Sequence, residues 1–168
     1  MNKRTIITGL AYSIFVIIYK LIIILGGYQF TKFGFYYSHV LSVFLILPFV
    51  IYAIKGARDK DMGGKMTGKE AFKTGAGVVA IAAIILSIYN YVEFEWKLRD
   101  MSLEYYNSPA YIEFLKGIPK LKPEDYPKVI AEVTSQLSGF KAVTAKLLSF
   151  FILGLGTSFI GSVFMKKD

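Results

Sequence analysis

The sequence predicts an all-α membrane protein: four transmembrane helices, both termini cytoplasmic, and a small helical periplasmic segment between the third and fourth. Three observations carry this. Four mainly apolar runs, about 6–27, 34–54, 70–92 and 142–165, each reach the roughly 20 helical residues needed to cross about 30 Å of hydrocarbon. Of the 168 residues, 54% are hydrophobic and 16% aromatic, and the mean hydropathy is +0.48, far from an average soluble domain. Lysine and arginine also gather in the short segments that face one side.

The first run, behind the basic start "MNKR", has the outline of a signal peptide. Its apolar stretch is too long, however, and "GGYQFTKFG" offers no small-x-small cleavage site, so it reads as a retained anchor. Ten Lys and Arg lie at the N-terminus, in residues 54–75 and at the C-terminus. The opposite side has Lys32 in its short turn and seven basic residues in 93–141, offset there by eight carboxylates. Bias in short loops sets orientation, so the chain is expected to be multi-pass with N-terminus and C-terminus cytoplasmic. Aromatics support the same placement by collecting where interfaces are expected: Tyr28, Phe30, Phe33, Phe35, Tyr36 and Tyr37 at the first outer turn, and Tyr89, Tyr91, Phe94 and Trp96 where the third span emerges.

The loop "IKGARDKDMGGKMTGKEAFKTG" separates spans two and three. Gly63 and Gly64 permit a turn that other residues would strain to make. Thr67 and Glu70 have capping-box spacing, which starts span three near Gly68. A phosphate loop is not expected, because "GGKMTGKE" lacks its spacing and follows a membrane helix instead of a strand.

In 93–141 the chain is polar but keeps helical periodicity. Phe94, Leu98, Met101 and Tyr105 extend span three outward as an amphipathic helix. Ser108 and Pro109 mark an N-cap and first residue for "PAYIEFLKG". Pro119, Pro123 and Pro127 then punctuate the chain, and Tyr126, Val129, Ile130, Val133, Leu137 and Phe140 form one further stripe. These stripes read as a small cap with a mutually buried core, or as a partner-binding surface.

Polar residues inside the spans ask for compensation, since a lysine near the bilayer centre costs at least about 2.5–3.5 kcal/mol. Lys20, His39 and Lys146 all fall in the outer half. The simpler reading is that the lysines snorkel to headgroups. The sharper one is that Lys20, His39 and Lys146 converge with Glu93 and Tyr89 on an anionic headgroup or carboxylate. No carboxylate lies in a span interior, which argues against cation antiport. Helix packing is signposted by Gly75 and Gly77 in span three and by Gly154, Ser158 and Gly161 in span four, where small residues let backbones approach.

No cofactor, metal site or nucleophile is expected. The chain has no cysteine, and His39 stands alone without metal-ligand or triad spacing. The net charge of +8 sits beside membrane spans, so nucleic acid is not an expected partner. Membrane lipid, another membrane protein or a second copy of the chain is.

The loop at 55–75, with its Arg-Asp and Gly-Gly pairs and the "AFK-G" start of span three, resembles a family of Bacteroidota four-span inner-membrane proteins known as domain of unknown function 4199. The short basic N-terminus, the helical outer segment and the lysine-rich end are similar too. The resemblance implies location and architecture, and it carries over no catalytic or binding residue. The leading expectation is therefore a non-enzymatic accessory or assembly subunit contacting a partner protein or anionic lipid. The alternatives are a small dimeric transporter of an anionic or small-molecule substrate, and a lipid-handling membrane enzyme.

Overall fold

A computed structural model describes residues 2–35 and 44–165, without the side chains of Lys32, Phe35, Ala145, Lys146, Leu153, Phe164 and Met165. The described chain is helical, in the order α1 (Lys3–Leu25), α2 (Lys32–Phe35), α3 (Ile46–Gly56), α4 (Gly68–Glu93), α5 (Arg99–Tyr106), α6 (Pro109–Lys116), α7 (Tyr126–Ser135) and α8 (Gly139–Met165). Three helices are long and apolar enough to cross a membrane: Lys3–Leu25, Gly68–Tyr106 and Gly139–Val163. Of the expected second span, 34–54, residues 36–43 lie outside the described residues, and α3 covers its later part from Ile46.

The helices form two compact units, residues 1–87 with 146–168, and residues 88–145. In the first, one stripe of α1 is buried: Thr5, Thr8, Gly9, Tyr12, Ser13, Val16, Lys20, Ile23 and Ile24. Tyr12 and Val16 join Ile46, Val50 and Ile54 of α3, Val78, Val79 and Leu86 of α4, and Phe150 of α8 in one apolar cluster. Tyr12 meets Phe49 edge to face, with ring centroids 5.3 Å apart.

Small residues set the helix spacing in this unit. A Cβ on Gly9 would meet Ile81 Cβ at 2.9 Å, and one on Gly75 would meet Ser158 Oγ at 2.9 Å. Gly154 abuts the Val79 side chain, and a Cβ on Gly161 would approach Ile54 Cδ1 at 2.9 Å. The backbones are therefore close enough for dispersion to act where lipid gives no hydrophobic drive. Gly77 is half-buried on α4. Two buried hydroxyls are satisfied within their own helices, Ser13 donating to Gly9 O and Ser158 to Gly154 O, each at 2.8 Å, which spares these polar atoms an unpaired place in an apolar interior.

In the second unit, the helix continues from α4 through a π-helical turn at Phe94–Leu98 into α5. Phe94 and Leu98 are buried there, and Met101 and Tyr105 half-buried. Ser108 caps α6 by accepting from Tyr111 N at 3.4 Å, and Tyr111 stacks with Phe114 and meets Tyr105 and Tyr106 edge to face. Pro123 opens a 3₁₀ turn, and Pro127 lies in the first turn of α7. Val129, Ile130, Val133 and Leu137 are half-buried, as their stripe predicts. Phe140 departs from that stripe: α7 ends at Ser135, the chain restarts at Gly139, and the ring is 72% exposed.

Candidate functional site: the basic end of the first unit

The loop after α3 is folded, and local chemistry folds it. A π-helical turn, Ala57–Asp61, prolongs α3. Gly63 and Gly64 follow at φ +64° and +88°, left-handed values that glycine adopts without strain. Gly64 N donates to Arg58 O at 2.9 Å, closing the turn. Then α4 opens on a reciprocal capping box. Glu70 N donates to Thr67 Oγ1 at 3.3 Å, while Glu70 Oε2 accepts from Thr67 N at 2.9 Å and from Thr67 Oγ1 at 2.7 Å.

The start of α1 is tied to this loop. Arg4 donates from Nε to Asp61 Oδ2 at 3.2 Å and from Nη2 to Oδ1 at 3.4 Å, and the Asn2 amide donates to the same carboxylate. Gly56 makes room, since a Cβ there would lie 2.7 Å from Arg4 Cδ. Hydrogen bonds from Arg4, and then from Asn2, hold the Asp61 carboxyl below its usual range. Asn2, Lys3, Arg4, Ile7, Thr8, Tyr52 and Asp61 line a recess of about 230 Å³.

With Arg4 held by Asp61 and Arg58 by Asp59 at 2.7 Å, the exposed cations of this end are Lys3, Lys55, Lys60, Lys65, Lys69 and Lys73. All belong to the start of α1, the end of α3, the loop or the first turns of α4. Charge of one sign is thus concentrated where three apolar helices begin or end, the arrangement that attracts an anionic membrane surface.

The residues expected to converge on an anion are placed as follows. Lys20 is 5% exposed on the inner stripe of α1, so its side chain is enclosed by protein. In the second unit Tyr89 is half-buried and Glu93 is 1% exposed, one helical turn apart on α4, with Asn90 buried beside them. His39 and the side chain of Lys146 lie outside the described residues. Among the described residues no three His, Asp or Glu side chains gather as metal ligands would.

The tie from Asn2 and Arg4 to Asp61 was not anticipated from the sequence. Its local hint was a carboxylate, Asp61, in a mainly basic loop with no arginine left beside it once Arg58 pairs with Asp59.

The family described as "Protein of unknown function (DUF4199)" matches residues 5–167. The chain belongs to that family. No curated protein and no solved structure matches it. The match covers both units and the loop between α3 and α4, so the apolar helices and the segment between α4 and α8 belong to one family pattern. With its apolar helices, this member of the DUF4199 family is a membrane protein.

Proposed function

We propose that the protein is a non-enzymatic four-helix subunit of the bacterial inner membrane, both termini in the cytoplasm. Its basic end holds anionic lipid, and its outer segment meets a partner protein. The observation that carries the reading is the outward pattern of the first unit. Along α1 the exposed positions Ile6, Ile7, Leu10, Ile14, Phe15, Ile18, Ile22 and Leu25 are all apolar, while Thr5, Thr8, Ser13 and Lys20 turn inward. Along α8 the exposed positions include Leu148, Phe151, Ile152, Leu155, Phe159 and Ile160, while Ser158 and Ser162 are buried. Polar groups inward and aliphatic groups outward is the pattern that hydrocarbon solvent selects.

Six exposed lysines at one end supply the orientation, because positive charge stays on the cytoplasmic side. They also supply the lipid preference. Counting the apolar run 34–54, which contains most of α3, brings the number of crossings to four and leaves both ends of the chain on one side.

The absence of cysteine makes the test direct. Single substitutions Lys60→Cys and Lys122→Cys are labelled in intact spheroplasts with an impermeant maleimide. Lys122→Cys reacts at once, and Lys60→Cys only after the membrane is opened; the reverse result refutes the orientation. Native mass spectrometry of the detergent-purified chain then reads the lipid claim. Phosphatidylglycerol is retained in preference to phosphatidylcholine, and the preference falls when Lys55, Lys60 and Lys65 are changed together to Gln.

A further inference from the structure

At the basic end, the first turns of α4 and the last turns of α8 leave a groove of about 470 Å³ lined by Gly68, Lys69, Phe72, Phe159, Ser162 and Val163. That volume falls within the about 300–1,000 Å³ typical of small-molecule sites. Its walls are apolar: Phe72 is half-buried, and Phe159 and Val163 are 63% and 49% exposed. The hydroxyl in its lining is already satisfied, since Ser162 Oγ donates to Phe159 O at 2.7 Å. Nothing in the walls therefore asks for water.

The lip is different. Lys69 is exposed there, Lys73 is exposed one turn further along α4, and Lys65 is exposed just before the helix. The carboxylate within this stretch, Glu70, is occupied by Thr67 N and Oγ1. It is held at the helix start, where its charge acts on Lys73, and three lysines against one carboxylate leave the lip positive.

We propose that this groove is a specific site for one anionic phospholipid of the cytoplasmic leaflet. An acyl chain lies along Phe72, Phe159 and Val163, and the phosphate rests on the Lys69 ammonium. Both halves of the ligand are called for by the lining: a charged head for the lysine at the lip, and an aliphatic tail for walls that a soluble anion would leave wet. A zwitterionic lipid satisfies the walls and gives the lysine no net charge to hold. The proposal deepens the lipid reading above and rests on it.

The test uses the full chain in phosphatidylcholine nanodiscs containing a trace of phosphatidylglycerol with a diazirine at the acyl end. Phosphatidylcholine carrying the same acyl group serves as the comparison. After illumination, crosslinked peptides are identified by mass spectrometry. The phosphatidylglycerol probe labels residues 159–163 about fivefold more than its comparison, the size of effect one lysine has near a charged lipid surface. Lys69→Gln brings the ratio close to one, and Lys69→Arg restores it. Ser162→Leu, which fills the groove, removes labelling there by both probes.

Equal labelling by the two probes, or a ratio indifferent to Lys69→Gln, overturns the site. If phosphatidylglycerol prefers peptides from residues 55–65 and not 159–163, the groove fails while the lipid reading stands. If no peptide prefers it, both fail. A groove closed to both probes in protein from native membrane, and opened when a bound protein is stripped away, belongs to that protein and refutes the lipid.

Discussion

In the unit of residues 1–87 and 146–168, the outward faces of the long helices are Ile, Leu, Phe and Val, and the inward faces carry Thr, Ser, Gly and one lysine. In the unit of residues 88–145 the order is the ordinary one. Phe94, Leu98, Tyr111 and Leu115 are buried, while Glu95, Lys97, Arg99, Asp100, Glu104, Glu113, Lys116, Lys122 and Glu124 are exposed. Its ion pairs, among them Arg99 with Glu95, Lys116 with Glu113 and Lys122 with Glu124, lie on the surface, where such pairs add little stability. Asn90 and Glu93 are exceptions, buried just past the apolar part of α4. One chain has thus been patterned against two solvents, hydrocarbon and water. The two units meet within continuous helices, at about residue 88 in α4 and about 145 in α8.

The most severe way to break that contrast is to place a charge on each outward face. Ile14 and Phe114 are 56% and 58% exposed, so exposure alone makes them equivalent. Ile14→Lys is expected to cost about 2.5–3.5 kcal/mol, the penalty of a lysine at mid-membrane, seen as a lower membrane-integrated fraction and a lower melting midpoint in nanodiscs. Phe114→Lys should stay within about 0.5 kcal/mol of the parent protein, as surface changes do. Equal effects at the two positions would remove the two-solvent account.

The next effect tests how the membrane unit packs. Gly154→Val drives a side chain into Val79 and should cost about 1–3 kcal/mol by overpacking. That lowers the midpoint by several degrees in a detergent melt. Gly156→Val, two residues on in the same helix with nothing within 4 Å, should leave the midpoint unchanged or slightly raised. A smaller loss, about 1 kcal/mol, is expected for Thr67→Ala, which removes the hydroxyl that accepts from Glu70 N. Ser108→Ala should lose less, because its capping bond from Tyr111 N is long at 3.4 Å.

The smallest effect is a pH dependence. The Asp61 carboxyl titrates below its unfolded value because Arg4 and Asn2 hold the charged form. Its contribution is therefore present above the ordinary carboxylate range and is lost as pH falls through the depressed folded value. Asp61→Asn should lower the midpoint slightly at pH 7 and match the parent protein once both are acid-titrated. A difference that persists unchanged at low pH would mean the contribution is not electrostatic.

Much of this was legible in the chain because the interactions concerned are local. Thr67 and Glu70 are three residues apart, so their spacing was enough to locate the start of α4. Ser108 and Pro109 fixed α6 in the same way. Phe140 was misread because a periodicity count cannot see the chain stop at Ser135 and restart at Gly139 as a different helix. Asp61 finds Arg4 across 57 residues, and nothing in either local sequence names the other.

By itself, the sequence determined which stretches are apolar enough to cross a membrane and where along the chain positive charge gathers, because transfer free energy and charge sum over a run of residues regardless of its neighbours. Only the tertiary structure decided that Lys20 turns inward, that Gly75 meets Ser158 and Gly154 meets Val79, and that Phe72 and Phe159 line a groove below Lys69. Those depend on the rotation of each helix about its own axis, which is fixed by how the backbones pack against one another and not by the hydrophobicity of any one of them.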